Sequence, residues 1–151
     1  MDSEITKQYG NKVRVRACGL CRHEGKLLLV SHSGLNAAAF WAPPGGGVAF
    51  GESIEETIQR EFLEETGLTV AVGSFAFGTE FINPPLHAIE LFYNVTIIGG
   101  KLITGVDPEH NIIQETAFLS DQEIMSLPAE HLHAIFRNYT GSFNMNGFSK
   151  I

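Results

Sequence analysis

Residues 43–68 permit very few local structures. Pro43 and Pro44 lead into Gly45-Gly46-Gly47, and two prolines followed by three glycines do not form helix. Shortly after, the pattern reverses. Ser53-Ile54-Glu55-Glu56 matches a capping box, with the serine oxygen free to accept an amide hydrogen three residues on. Glu55 and Glu56 fall in the first turn, where the helix dipole favours negative charge. Ile54, Ile58 and Phe62, with Leu63, recur at helical spacing, and Gly67 is a natural C-terminal stop. A glycine loop therefore hands the chain to a helix that begins at Ser53 and ends before Gly67.

That helix carries an unusual charge load. Six glutamates lie between Glu52 and Glu65, with Arg60 as the single basic residue among them. The segment holds a net −5 of the chain's −7, so the acidity is local. Like charges at helical spacing cost roughly a few tenths of a kcal/mol per pair. Each residue turns the helix by about 100°, so with Glu61 at zero, Glu65 lies near 40° and Glu64 near −60°, about a 100° arc in all. Glu61, Glu64 and Glu65 thus share one edge of the helix beside the glycine loop. Oxygen-only clusters of this kind suit hard divalent cations such as magnesium. Gly45, Gly46 and Gly47 let the backbone approach a ligand closely, and a carbonyl there could add a donor. Arg60 is placed to hold a glutamate through a charge-assisted hydrogen bond.

The rest of the chain sets bounds. Its 151 residues, 44% hydrophobic, suit one globular domain. An acidic balance argues against binding macromolecular nucleic acid, which needs a basic face. Cys18 and Cys21 lie three apart on an expected strand and so point to opposite faces as buried thiols. With no disulfide framework, a reducing cytoplasm is expected. No signal peptide is seen, and no stretch reaches the roughly 18 apolar residues of a membrane span.

Along the chain, 1–11 reads as a flexible N-terminal segment, 12–139 as the folded domain and 140–151 as a polar tail. Val13–Cys21 and Leu27–Ser31 form an expected hairpin around His23-Glu24-Gly25-Lys26. Residues 68–80 and 86–98 read as longer strands broken by Asn83-Pro84-Pro85. A loop covers 101–113, a short strand 116–119, and a second capping box at Ser120–Glu123 opens a helix that breaks at Pro128. A last helix is expected over 129–139, burying Leu132, Ile135 and Phe136. Phe75, Phe77, Phe81 and Phe92 read as core.

Gly46, Glu52, Arg60-Glu61-Phe62, Glu64-Glu65 and Gly67-Leu68 fall at the spacing of the Nudix box, and Trp41-Ala-Pro-Pro-Gly-Gly-Gly resembles the usual approach to it. Phe62 departs softly from the aliphatic residue usual there. The chain resembles the Nudix hydrolase family over about residues 12–138. The resemblance implies an α/β class single domain, an α/β/α sandwich with a mixed β-sheet. It implies hydrolysis of a nucleoside diphosphate linked to another group by water attack at phosphorus, with Mg2+ or Mn2+ as cofactor. Carried over by position, Glu61, Glu64 and Glu65 would be metal ligands, helped by the Gly46 carbonyl. Arg60 would orient the carboxylates, and Glu52 would support the loop–helix junction. Family members often add a later acidic residue as ligand or base; Glu115 is the candidate, with Glu109 and Asp107 as alternatives. Homodimerisation is a further family expectation.

Other residues keep two readings. Trp41 could stack on a base or anchor the loop. Arg16, with Arg14, could meet a phosphate or ribose, or lie on a solvent-facing strand edge. Gly46 and Gly47 could contact substrate. His87 could touch substrate or be an idle loop residue, and His131 and His133 are expected at the surface. Pro84, sixteen positions past Leu68, resembles a feature of ADP-ribose-hydrolysing members, yet proline also suits a hairpin loop. A non-catalytic sensor on the same fold is the main rival function. An isomerase, or a phosphatase of non-nucleotide pyrophosphates, is a third.

Overall fold

A computed structural model describes residues 3–33, 39–103, 106–107 and 112–151. The elements are α1 (Ser3–Tyr9), β1 (Lys12–His23), β2 (Lys26–Ser33), β3 (Phe40–Ala42), β4 (Gly45–Gly47), α2 (Ile54–Thr66), β5 (Leu68–Asn83), β6 (Leu86–Gly100), β7 (Val106–Asp107), β8 (Ile112–Ser120), α3 (Asp121–Ser126) and β9 (Phe148–Lys150). The strands form one mixed sheet in the order β7-β8-β2-β1-β6-β5-β9, with β3 on β2 and β4 on β1.

The β1–β2 hairpin closes through Glu24 and Gly25, both at positive φ (52° and 76°), the signature of a tight two-residue turn. β1 and β2 pair only at Arg22–Leu27 and His23–Lys26. Beyond that they part, because β1 takes β4 as its neighbour from Arg16 to Cys18. On its other side β1 runs parallel to β6. Arg14 and Arg16 therefore stand on an interior strand, and the strand-edge reading does not hold.

Two cores flank the sheet. On one face Ile58 and Phe62 of α2 pack with Ala17, Cys21, Leu28, Val70 and Val95. On the other, Cys18, Leu20, Leu27, Leu29, Phe77 and Phe92 pack with Ile124 of α3 and with Ile135 and Phe136. The result is a helix–sheet–helix sandwich of the α/β class. The two cysteines fall in opposite cores, as strand parity requires, and burial pushes their thiols up to about 12 and about 11.

The ring of Phe62 fits because of Gly19. A Cβ on Gly19 would run into the Phe62 ring and lie 3.1 Å from a Val95 methyl. A glycine on the facing strand thus makes the room that an aromatic residue in the box requires.

Several expected elements differ. Residues 129–139 form two 3-10 turns, Ala129–His131 and Ala134–Phe136, in place of a helix. The chain is extended between them because His133 N donates to Trp41 O at 3.0 Å and Leu132 bridges Trp41. Tertiary pairing overrides helical periodicity there. Ile135 and Phe136 are buried as expected. Phe75 is half exposed, edge-on to Tyr93. Residues 148–150 pair in parallel with β5, and residues 3–9 form α1, whose Tyr9 ring carries the Arg14 guanidinium at 3.9 Å. No helix among the described residues is long and apolar enough to cross a membrane.

Candidate active site

Both ends of α2 close as the sequence dictates. Ser53 and Glu56 satisfy the capping box reciprocally, and Gly67 ends the helix in the left-handed region at φ 76°. Ile58 and Phe62, packed against the sheet, set the rotation of α2, and with it the depth of each glutamate. Glu65 is buried; the Glu61 side chain is 16% exposed and that of Glu64 is 59% exposed.

β4 lies between this helix and β1. The bonds Gly19 N to Pro44 O and Val48 N to Val15 O, both 2.9 Å, set the phase of the β1–β4 ladder. In that phase the amide and carbonyl of Gly46 face Ala17, and those of Gly45 and Gly47 face α2. Accordingly Gly45 N donates to Glu65 Oε1 at 3.0 Å, and Gly47 O accepts from Arg60 Nη2 at 3.3 Å. The Gly46 carbonyl, expected to help hold a cation, is turned toward β1 in the ladder. Gly46 serves by lacking a side chain, since a Cβ there would overlap the Glu61 carboxylate.

Arg60 organises the carboxylates. Its Nε and Nη2 grip Glu52 at 2.7 and 3.0 Å, and Nη1 reaches Glu61 at 2.9 Å and Glu64 at 3.4 Å. Glu52 also accepts from Thr57 Oγ1 at 2.7 Å and Ala49 N at 3.3 Å, which joins loop to helix. These bonds, led by Arg60, hold the Glu52 carboxyl down to about 2. Glu61 moves the opposite way. Burial and then the charge of Glu65 push it up to about 7 against the pull of Arg60, and the two carboxyls share a hydrogen bond.

The donor set suits a hard cation. Its side-chain donors are all carboxylate oxygens, and burial, with the charge of Glu65, has raised the proton affinity of Glu61. Among the described residues no three His, Cys, Asp or Glu side chains converge into a finished cage.

Glu115 is not brought to this cluster. It is exposed on β8 opposite Ser31, and strand alternation puts it with Leu119 on the face remote from α2. Glu109 and the side chain of Asp107 lie outside the described residues. Trp41, on β3, is partly buried against the core around Phe92 and Ile135, the position of a loop anchor.

Arg16 stands opposite Gly47 in the register and opens onto a cleft of about 260 Å³ on the far side of β1 from α2. Phe40, Phe81, Leu86, Ala88 and Ile151 give the cleft apolar walls, and Arg14, Arg16, Glu90 and His133 its polar part. Phe81 is thus a cleft residue and not simply core, and His87 is at the rim, paired with Glu80 at 3.0 Å. Glu90 accepts from Arg16 Nη1 and pairs with His133 Nε2, each at 2.7 Å. The side chain of His133 is only 11% exposed, so it is not a surface residue. Burial works against the charge of Arg16 and is outweighed by Cys18, Glu90, Glu65 and Glu61, so its pKa is raised. Arg16 thus pairs with Glu90 in the cleft and feels the charge of the α2 carboxylates from a distance.

Glu90 and His133 escaped the sequence reading. The available signal was a lone charge inside an apolar strand, Ala88-Ile-Glu-Leu-Phe92, because a buried carboxylate needs partners.

Comparison with known proteins agrees with this geometry. The family model of the NUDIX domain matches residues 10–138. An ADP-ribose pyrophosphatase of Methanocaldococcus jannaschii is 30% identical over 123 residues, 80% of this chain and 69% of that protein. The MutT protein of Methanosarcina mazei Go1 is 28% identical at a TM-score of 0.63, covering 85% of this chain and 90% of its own. A NUDIX hydrolase of Nitrosomonas europaea, 23% identical, shares the fold at a TM-score of 0.66 over 80% of each chain.

Proposed function

The chain belongs to the NUDIX family of hydrolases acting on pyrophosphate bonds, and we propose that it cleaves a nucleoside diphosphate joined to a second group, with a divalent cation at the α2 carboxylates. The observation that carries the reading is the Glu61–Glu65 pair. A buried and a half-buried carboxyl joined by a hydrogen bond, with Glu61 braced by Arg60, form a site whose natural occupant is a cation.

Glu61, Glu64 and Glu65 are the side chains that would hold Mg2+ or Mn2+, with the Gly45 carbonyl, on the α2 side of the ladder, as the backbone donor. A cation held there supplies charge neutralisation on phosphoryl oxygens and lowers the pKa of the attacking water. Arg60 keeps Glu61 and Glu64 in place and spends its strongest bonds on Glu52, so Glu52 acts as a brace. Arg16 offers N–H groups between carboxylates and cleft, where the diphosphate would enter. The apolar cleft would seat the nucleoside. Glu115 has no part in this arrangement.

The Methanocaldococcus relative makes ADP-ribose the first substrate to assay, beside nucleoside triphosphates, nucleotide sugars and dinucleoside polyphosphates, each with magnesium or manganese. Metal-dependent release of a nucleoside monophosphate is the expected result. Tight binding with no turnover across the panel would instead make the chain a sensor.

A further inference from the structure

Glu90 is 4% exposed and lines the cleft, yet it takes no part in holding the cation site. Its two oxygens each meet one donor. Oε2 accepts from Arg16 Nη1 and Oε1 from His133 Nε2, both at 2.7 Å. An ionised carboxylate has about four acceptor positions, so two remain on a residue that lines the cleft. The pKa of Glu90 is lowered, since the His133 bond and the charges around it outweigh burial; the group is an acceptor only.

His133 has nothing left to offer a ligand. Its Nδ1 accepts from Ile135 N at 3.1 Å, so the ring proton sits on Nε2 and is donated to Glu90. The polar part of the cleft therefore presents one unsaturated acceptor, Glu90, beside the N–H groups of Arg14 and those left on Arg16. Glu90 receives nothing from its cross-strand neighbour. Thr79 stands directly opposite Glu90 in the β5–β6 register, fully buried, and its hydroxyl has no hydrogen-bond partner among the described residues.

Phe40 overhangs the floor, its ring centroid 6.4 Å from that of His133. A flat group fits such walls. A phosphate is not a partner for Glu90 itself, because two anions would face each other across a low-dielectric gap; the arginines beside it are the groups that suit phosphate oxygens. A base edge carrying only acceptors is disfavoured for the same reason. An amino group next to a ring nitrogen satisfies both members of the floor, the amine donating to Glu90 and the nitrogen accepting from Arg16.

We propose that Glu90 is a specificity-determining residue that accepts a hydrogen bond from an amino-bearing nucleobase seated in this cleft. The inference rests on the cleft being the nucleoside seat of the hydrolase. Binding, measured by calorimetry without turnover, separates the two. The probes are AMP and purine riboside 5′-monophosphate, which differ only in the exocyclic amine. The wild-type protein should bind AMP about tenfold or more tightly, the worth of one hydrogen bond to a charged group. Glu90→Gln, which keeps the shape and adds a donor, should bring the two affinities within about twofold or reverse them. A structural role for Glu90 would move both affinities together and leave their ratio unchanged. Equal affinities in the wild type, no binding of either nucleotide, or an unchanged ratio in Glu90→Gln would overturn the proposal. Should the wild type prefer AMP yet hydrolyse nothing in the substrate panel, the proposal stands and the enzymatic reading falls.

Discussion

Arg60 holds Glu52 with two parallel bonds, Nε to Oε2 at 2.7 Å and Nη2 to Oε1 at 3.0 Å, eight residues apart across the loop–helix junction. The same guanidinium still reaches Glu61 through Nη1. A planar fork can do both; an ammonium cannot. Arg60→Lys should therefore lower kcat/KM by about 10- to 100-fold, the usual effect of disturbing groups that orient metal ligands. The melting temperature should move little, because the pair is partly solvent-exposed. A rate within twofold of wild type would show that the fork is dispensable.

The carboxylates themselves should be less forgiving. Glu64→Gln or Glu65→Gln keeps the shape and removes the charge a cation needs. Each should cut turnover by orders of magnitude with the fold intact by circular dichroism. An unchanged rate would remove that residue from the metal set. Glu115→Gln, by contrast, should leave the rate within a few-fold, because β8 turns it away from α2.

Metal-free protein should lose stability as pH rises. Glu61 ordinarily titrates near 4.5 and is pushed to about 7 in the fold by burial and by Glu65. The folded state thus holds a proton that the unfolded chain has released, and this advantage disappears between about pH 4.5 and pH 7. The change is on the order of a few kcal/mol. Magnesium should take the place of the proton, so its stabilising effect should grow over the same interval. Melting curves at several pH values, with chelator and with saturating magnesium, give the comparison. Parallel curves would count against the site.

Gly46→Ala should damage catalysis more than folding. Its Cβ would meet the Glu61 carboxylate, a side chain able to swing away at the expense of its position. Gly45→Ala should damage both, since its Cβ would meet the Ala17 carbonyl and sit 2.6 Å from the Cys18 Cα, neither of which can move alone. Comparable melting temperatures for the two variants would contradict this distinction.

The fit of Phe62 against Gly19 predicts coupling. Phe62→Ala should cost about 3–5 kcal/mol through the cavity it leaves. Gly19→Ala should cost about 1–3 kcal/mol by overpacking. Combined with Phe62→Leu, Gly19→Ala should cost less than alone, and a strictly additive double variant would show that the ring is not what Gly19 accommodates.

The α2 segment was legible from its residues because what shapes it is local. Ser53 and Glu56 are three apart, Gly67 ends the turn it terminates, and the glutamates share an edge by helical arithmetic. The β1–β2 hairpin and the second capping box at Ser120 were legible for the same reason. Residues 129–139 misled, because their apolar spacing is helical while their backbone partner is Trp41, some ninety residues away in the chain.

The sequence by itself determined the family, the helix that carries the carboxylates and the edge they share, because the box, the caps and the helical spacing are all local patterns. Only the tertiary structure decided which of these glutamates is buried and which braces the arginine. It alone turned Gly45 and Gly47, not Gly46, toward the helix, and brought Arg16, Glu90 and His133 together on a cleft floor. Arg16 and Glu90 are 74 residues apart, and Glu90 and His133 43. Such contacts depend on strand register and sheet order, which hydrogen bonding between distant segments sets and no local pattern records.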